Sequence, residues 1–199
     1  MPRPTPRRHA PTPSARIPLC ALLLLTLVRP GGEVAAQSPA VEGDYLYRVT
    51  MLRAAPGEFQ ALIDALAAQA ELHVAAGDPA PLTLRHSQGD HWDFMVVQPM
   101  ESFEAWFTAE RATLEASPAW TAAGERVARH TAFHEEWYAR STGVEEMTRR
   151  WRTAGLFHVE IFAGLPGRRA ELVEQRRMEN RYYAALNRPQ NLIFTRAAG

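Results

Sequence analysis

Lysine is absent from this chain, and all 22 residues in the Lys/Arg count are arginine. Schiff-base chemistry and a lysine general base are therefore excluded, because both need a primary amine with a tunable pKa. Cysteine is almost absent as well. The single one, Cys20, lies in the N-terminal leader, so the rest of the chain forms no internal disulfide and offers no thiol nucleophile. Neither charge sign dominates, with 22 basic against 22 acidic residues. That balance argues against a surface built for nucleic acid. A Gly-rich phosphate loop, a Gly-x-Ser-x-Gly elbow and any spacing that would support a Ser/His/Asp triad are missing too.

What is present begins with an export signal over residues 1–36. Arg3, Arg7, Arg8 and Arg16 form a basic, Pro-rich leader; Ile17–Val28 is an apolar run of 12 residues; Val34-Ala35-Ala36 supplies the small-x-small exit. The run is shorter than the roughly 20 residues a bilayer span needs. Leu19 precedes Cys20 where a lipobox wants Gly, Ala or Ser, so no lipid anchor and no stable membrane attachment are expected after cleavage. Removing residues 1–36 takes five Arg and one Glu, which leaves 17 basic and 21 acidic residues, a balance of −4. An exported protein, periplasmic or extracellular, is expected. N-terminal sequencing of the exported product should read Gln37, and a product still beginning at Met1 would contradict this.

Beyond a polar linker at residues 37–44, the chain repeats itself. Tyr47–Gly89 aligns with Phe157–Gly199 at a constant offset of 110, without a gap, and eight positions are identical. They include Pro56-Gly57 on Pro166-Gly167, Leu62 on Leu172, Pro79 on Pro189 and Leu82 on Leu192. Residues 45–117 read as a first α+β unit: a strand at Tyr47–Arg53, a helix at Glu58–Ala76, strands at Leu82–His86 and Trp92–Gln98, and a helix at Ser102–Glu115 capped by Ser102. Residues 118–153 read as a helical connector, with a helix or helix pair over Pro118–Arg140 and another over Val144–Arg152. Residues 154–199 read as a second unit, with a strand at Phe157–Phe162, a helix at Arg168–Leu186 and a strand at Leu192–Arg196. Relative to the first copy, the second is expected to stop before its next strand.

This order, with Pro-Gly turns before both long helices, resembles the dimeric α+β barrel superfamily. The resemblance implies an α+β fold of two tandem ferredoxin-like units joined by a helical segment, the second incomplete. It also implies sheet-to-sheet pairing, within one chain or in a homodimer. Members include haem-degrading and quinol monooxygenases, haem proteins and domains without established chemistry, so fold alone does not name an activity.

Candidate site residues come from comparing the two copies. On the first long helix the core-facing positions are Phe59, Leu62, Leu66, Ala70 and His73; the second has Arg169, Leu172, Arg176, Asn180 and Tyr183 there. In the preceding strand Arg48 and Thr50 become His158 and Glu160, which share one face. A polar pocket follows as an expectation. His158 would be its acid/base group, Glu160 an orienting partner, and Arg176, Glu179, Asn180 and Tyr183 the ligand-binding set. Arg176 needs an acid beside it, from Glu160, Glu174 or Glu179. In barrels of this type the inner sheet face lines the cavity, which adds His86 and Trp92 as ligand-facing candidates. His130 and His134, four apart in the expected helix, lack the His-Glu-x-x-His order and a third ligand, so no metal is assigned. A lone His suffices to hold haem, but no spacing selects one, and no cofactor is assigned. Three functional readings stand: an exported protein binding a small polar or anionic ligand, an oxidoreductase of the same superfamily (cofactor-independent or haem-dependent), or a truncated chain with little activity. Leu192–Arg196 is expected to leave a free apolar edge that drives dimerisation.

Overall fold

A computed structural model describes residues 41–88 and 90–199; the expected export signal and the first residues of the linker lie outside the described residues. The elements in chain order are β1 (Tyr45–Ala54), α1 (Phe59–Ala75), β2 (Leu82–Arg85), β3 (Phe94–Glu101), α2 (Phe103–Trp106), α3 (Ala109–Glu115), α4 (Pro118–Arg129), β4 (Thr131–Ser141), α5 (Val144–Thr153), α6 (Arg169–Ala185) and β5 (Thr195–Ala198). The strands form one antiparallel sheet in the order β2-β3-β1-β4-β5. Its first four strands, with helices after β1 and β3, make a complete ferredoxin-like βαββαβ unit, so the resemblance to the dimeric α+β barrel superfamily holds at the level of fold. No helix among the described residues is long and apolar enough to cross a membrane.

The repeat is visible in the backbone. α1 and α6 each have 17 residues and begin at positions 110 apart. Gly57 and Gly167 hold positive φ, 82° and 75°, in the turns before them, where an L side chain would be strained. Both helices end in a Schellman motif. Asp78 N donates to His73 O at 3.0 Å and Arg188 N to Tyr183 O at 2.8 Å, around Gly77 and Asn187 in the left-handed conformation.

Four expectations are corrected. The stretch 118–140 is not helical throughout: α4 stops at Arg129 and β4 follows. The first unit therefore has its fourth strand, and residues 118–153 are not an all-helical connector. Phe133 and Trp137 are four apart, a spacing that fits both a helix face and, as twice two, a strand face. Pairing with β1 over Tyr45–Ala54 decides for the strand. Phe157–Phe162 carries no strand, because nothing hydrogen-bonds to its backbone among the described residues. The strand expected at Leu192–Arg196 is displaced: it is β5 (Thr195–Ala198), without Leu192, Ile193 and Phe194, and it pairs with β4 on one side and ends the sheet on the other. Val41, placed in the polar linker, is buried, and its carbonyl accepts from Ile193 N at 2.8 Å.

Strand alternation divides the core. One sheet face carries Leu52 and Phe94 against Leu62 and Leu66 of α1 and Val127 of α4. The opposite face carries Tyr47, Val49, Met51, Met95 and Val97, covered by Met147 and Trp151 of α5 and by Leu192. Tyr47 is fully buried and donates its hydroxyl to Thr142 O at 2.7 Å. Ser102 caps α2 as expected, accepting from Ala105 N at 3.0 Å, but the predicted long helix breaks, and Thr108 caps α3 separately.

Candidate functional site

Between the sheet and the helices α1 and α4 lies a cavity of about 470 Å³, within the range of small-molecule sites. Strand register sets its floor in rows. Gln98, Arg48 and Tyr138 stand across the sheet in one row; Thr83, Val96, Thr50 and Glu136 in the next; Phe94, Leu52 and His134 in a third. The cavity thus grades from a polar end to an apolar one, where Leu52, Leu66 and Val127 line it.

Gln98 is 2% exposed. Its amide nitrogen donates to Pro79 O at 3.3 Å and Pro99 O at 3.1 Å. Flipping the amide would set oxygen against two carbonyls, so the orientation is fixed. Its Oε1 is left buried with no hydrogen-bond partner, which costs about 1–3 kcal/mol. Arg48 stands beside it in the row. Its closest acid among the described residues is Glu136 at 3.8 Å, beyond hydrogen-bond length. Gln98 and Arg48 thus both line this end of the cavity, the amide oxygen buried without a partner and the guanidinium without a close one.

His73 lines the cavity as well. The Schellman turn that ends α1 brings Asp78 back beneath it, and His73 Nδ1 sits 2.8 Å from Asp78 Oδ2. Arg111 of α3 donates to both Asp78 oxygens at 2.8 and 2.7 Å. The same guanidinium donates to Glu115 at 2.7 Å. It lies over the rings of Trp106 (3.8 Å) and Trp120 (4.8 Å). Burial pushes the His73 pKa down; Asp78 opposes this and the Arg48 and Arg111 charges reinforce it. The imidazole is then neutral near pH 7, donates Nδ1–H to Asp78, and keeps a lone pair on Nε2.

A stability test follows with a definite sign. A depressed folded-state pKa means that the unfolded chain binds more protons between the folded value and about 6.5. Stability from His73 is thus present above about pH 6.5 and lost as the pH falls through that window. Urea midpoints for wild type should fall more between pH 7.5 and pH 5 than those for His73→Asn, whose amide keeps the donor to Asp78. Parallel pH profiles would refute the assignment.

The residues singled out in the second copy meet only in part. Arg176 lies 3.7 Å from Glu160 and 2.9 Å from Glu179, and His158 Nε2 is 4.0 Å from Glu160. Tyr183 donates to Glu179 at 2.9 Å, and this bond raises the phenol's pKa. The cluster grades from surface to interior: the His158 side chain is 85% and Glu160 47% exposed, whereas Arg176 and Glu179 are 23% and 28% exposed and Arg176 Nε is buried without a hydrogen-bond partner. Asn180 is buried and faces the chain instead, bonding Asn191 through both ends of its amide at 2.9 and 2.8 Å. His86 stacks on Trp92 at 4.1 Å and contacts its carbonyl, while Trp92 joins the core on the face opposite the cavity. A double-mutant cycle with Glu160→Gln and Arg176→Met should give a coupling of about 0.2–1 kcal/mol, the range of exposed pairs. A value near 3 kcal/mol would mean a desolvated pair and contradict the exposure of Glu160.

The helical histidine pair does not form. His130 ends α4 and contacts Glu58 at 2.9 Å, while His134 is in β4. Among the described residues no group of three His, Cys, Asp or Glu is arranged to hold a metal. His73 is held through Nδ1 by Asp78, and Trp106 and Trp120 pack against its ring.

No protein-family model matches the sequence, and no curated protein matches it. Solved structures of similar fold include a dimeric ferredoxin-like protein of unknown function from Bacteroides fragilis, 8% identical, TM-score 0.37, covering 50% of this chain and 98% of its own. A NIPSNAP family protein of unknown function from Agrobacterium tumefaciens is 16% identical with TM-score 0.41, covering 51% and 91%. A proposed antibiotic biosynthesis monooxygenase from Caulobacter crescentus is 16% identical with TM-score 0.39, covering 52% and 93%. Likeness at this distance says nothing about activity.

Proposed function

We propose that this protein binds a small amphipathic ligand with an anionic or strongly polar head, held in the cavity between the sheet and helices α1 and α4. The observation that carries the reading is the buried, unpartnered Gln98 Oε1 beside Arg48 at one end of that cavity. A head that carries a carboxylate next to a hydroxyl or amide N–H meets both groups: Arg48 donates to the carboxylate and Gln98 accepts from the hydroxyl or amide. The ligand's apolar body lies along Leu52, Leu66 and Val127. The basic leader, apolar run and small-residue exit in residues 1–36 support an exported setting for this binding.

Calorimetric titration with octanoate, benzoate and neutral benzamide tests the reading. At least one carboxylate should bind more tightly than benzamide. Ala70→Leu, which narrows the cavity from the α1 side, should weaken all three. Absence of binding by every probe at millimolar concentration would contradict it.

A second reading, proton-transfer catalysis, draws on the His73–Asp78 pair. A neutral buried imidazole oriented by a carboxylate is equipped to take a proton from a bound phenol or enolisable carbon. Solvent deuterium exchange into acetoacetate, catalysed by wild type and not by His73→Asn, would support it; equal rates would remove it.

A further inference from the structure

The segment after α5 is chemically a strand without a partner. Leu156 is 84% exposed, Val159 39%, Ile161 58% and Phe162 48%, and no backbone group of 157–163 is hydrogen-bonded to another backbone group among the described residues. Its side chains nevertheless alternate like those of β1, its counterpart at offset 110. Glu160 and Phe162 turn toward Arg176 of α6, at 3.7 Å and 4.6 Å, while Phe157 stacks on Trp151 at 4.5 Å. An exposed apolar strand-forming stretch with its backbone unpaired is a template for strand addition.

We propose that Leu156–Phe162 is the interface strand of a homodimer, paired antiparallel with the same segment of a second copy about a two-fold axis at Val159. The sequence selects both occupant and register. Centred on Val159, Phe157 meets the partner's Ile161, Leu156 meets the partner's Phe162, Val159 meets itself, and His158 meets the partner's Glu160. Apolar thus opposes apolar and base opposes acid at every position. Centring on Glu160 would set that carboxylate against its own copy, which is unfavourable for residues directly opposite. Centring on His158 would put His158 against itself and Glu160 against the partner's Leu156. A shift by a single residue in one strand would oppose the polar face to the apolar one. A chain so self-complementary in one register, and in no neighbouring one, fits a second copy of itself.

Cysteine cross-linking in the full chain, carrying Cys20→Ser, tests occupant and register together. At the two-fold centre Val159→Cys faces its own copy and should oxidise to a covalent dimer. In Ile161→Cys the two copies' residues lie four strand positions apart, about 13 Å, beyond the roughly 7 Å limit for a disulfide, and should remain unlinked. An equimolar mixture of Phe157→Cys and Ile161→Cys should cross-link. Light scattering should show a concentration-dependent dimer that Val159→Lys weakens by about tenfold or more, since it opposes like charges. Val159 is partly exposed in the single chain, so these variants should keep their circular dichroism. A wild-type monomer at all concentrations, a dimer indifferent to Val159→Lys, or linking at Ile161→Cys as fast as at Val159→Cys would each overturn the proposal.

Discussion

Replacing Arg111 by Met should destabilise the protein by about 3–5 kcal/mol, the loss typical when one side of a buried ion pair is removed. The Arg111 and Asp78 side chains are 11% and 14% exposed, and the guanidinium meets the carboxylate in two bonds. Without it, Asp78 keeps only His73, whose burial favours the neutral form. The contacts with Trp106 and Trp120 are lost together with the charge. For a domain of this size, about 2–4 °C of melting temperature accompanies each kcal/mol, so a fall of roughly 6–20 °C is expected. The double variant Arg111→Met/Asp78→Asn should recover part of it, because the uncompensated carboxylate is gone. A loss below about 1 kcal/mol would mean that the cluster is solvated.

Arg48→Met should weaken octanoate binding by about 10- to 100-fold while leaving folding stability within about 1 kcal/mol of wild type. The first figure follows from a hydrogen bond to a charged group, about 1.5–3 kcal/mol. The second follows from the long, partly exposed contact with Glu136 at 3.8 Å. Binding of neutral benzamide should fall much less. Equal weakening of charged and neutral probes would mean that the substitution deforms the cavity rather than removing a specific donor.

These effects differ in how far they could be read from the chain. The repeat was legible because its markers are local: Pro56-Gly57 and Pro166-Gly167 start both long helices, and the offset of 110 carries over to α1 and α6 residue for residue. Strand β4 was not, because Phe133 and Trp137 satisfy two periods at once and only pairing with β1 separates them. The comparison of copies drew attention to His158 and Glu160 as a gain of polarity. Arg48 and Thr50 occupy the same positions of the first copy and are polar too, and there α1 and α4 roof the sheet face into a cavity. Gln98 lies 50 positions from Arg48 in sequence, and only the register of β1 on β3 makes them neighbours. His73 looked like the end of an apolar helix face; its role depends on the Schellman turn that returns Asp78 to it. A spacing rule cannot anticipate groups that converge through sheet register and a helix cap.

Amide chemical-shift mapping of the protein titrated with octanoate most directly tests the claim that the ligand site is the first unit's cavity. Shifts should concentrate at Arg48, Thr50, Val96, Gln98 and His73, and in Arg48→Met the same shifts should need about 10- to 100-fold more octanoate. Shifts confined instead to the cluster of His158, Glu160, Arg176 and Tyr183 would contradict the account and move the site to the second copy.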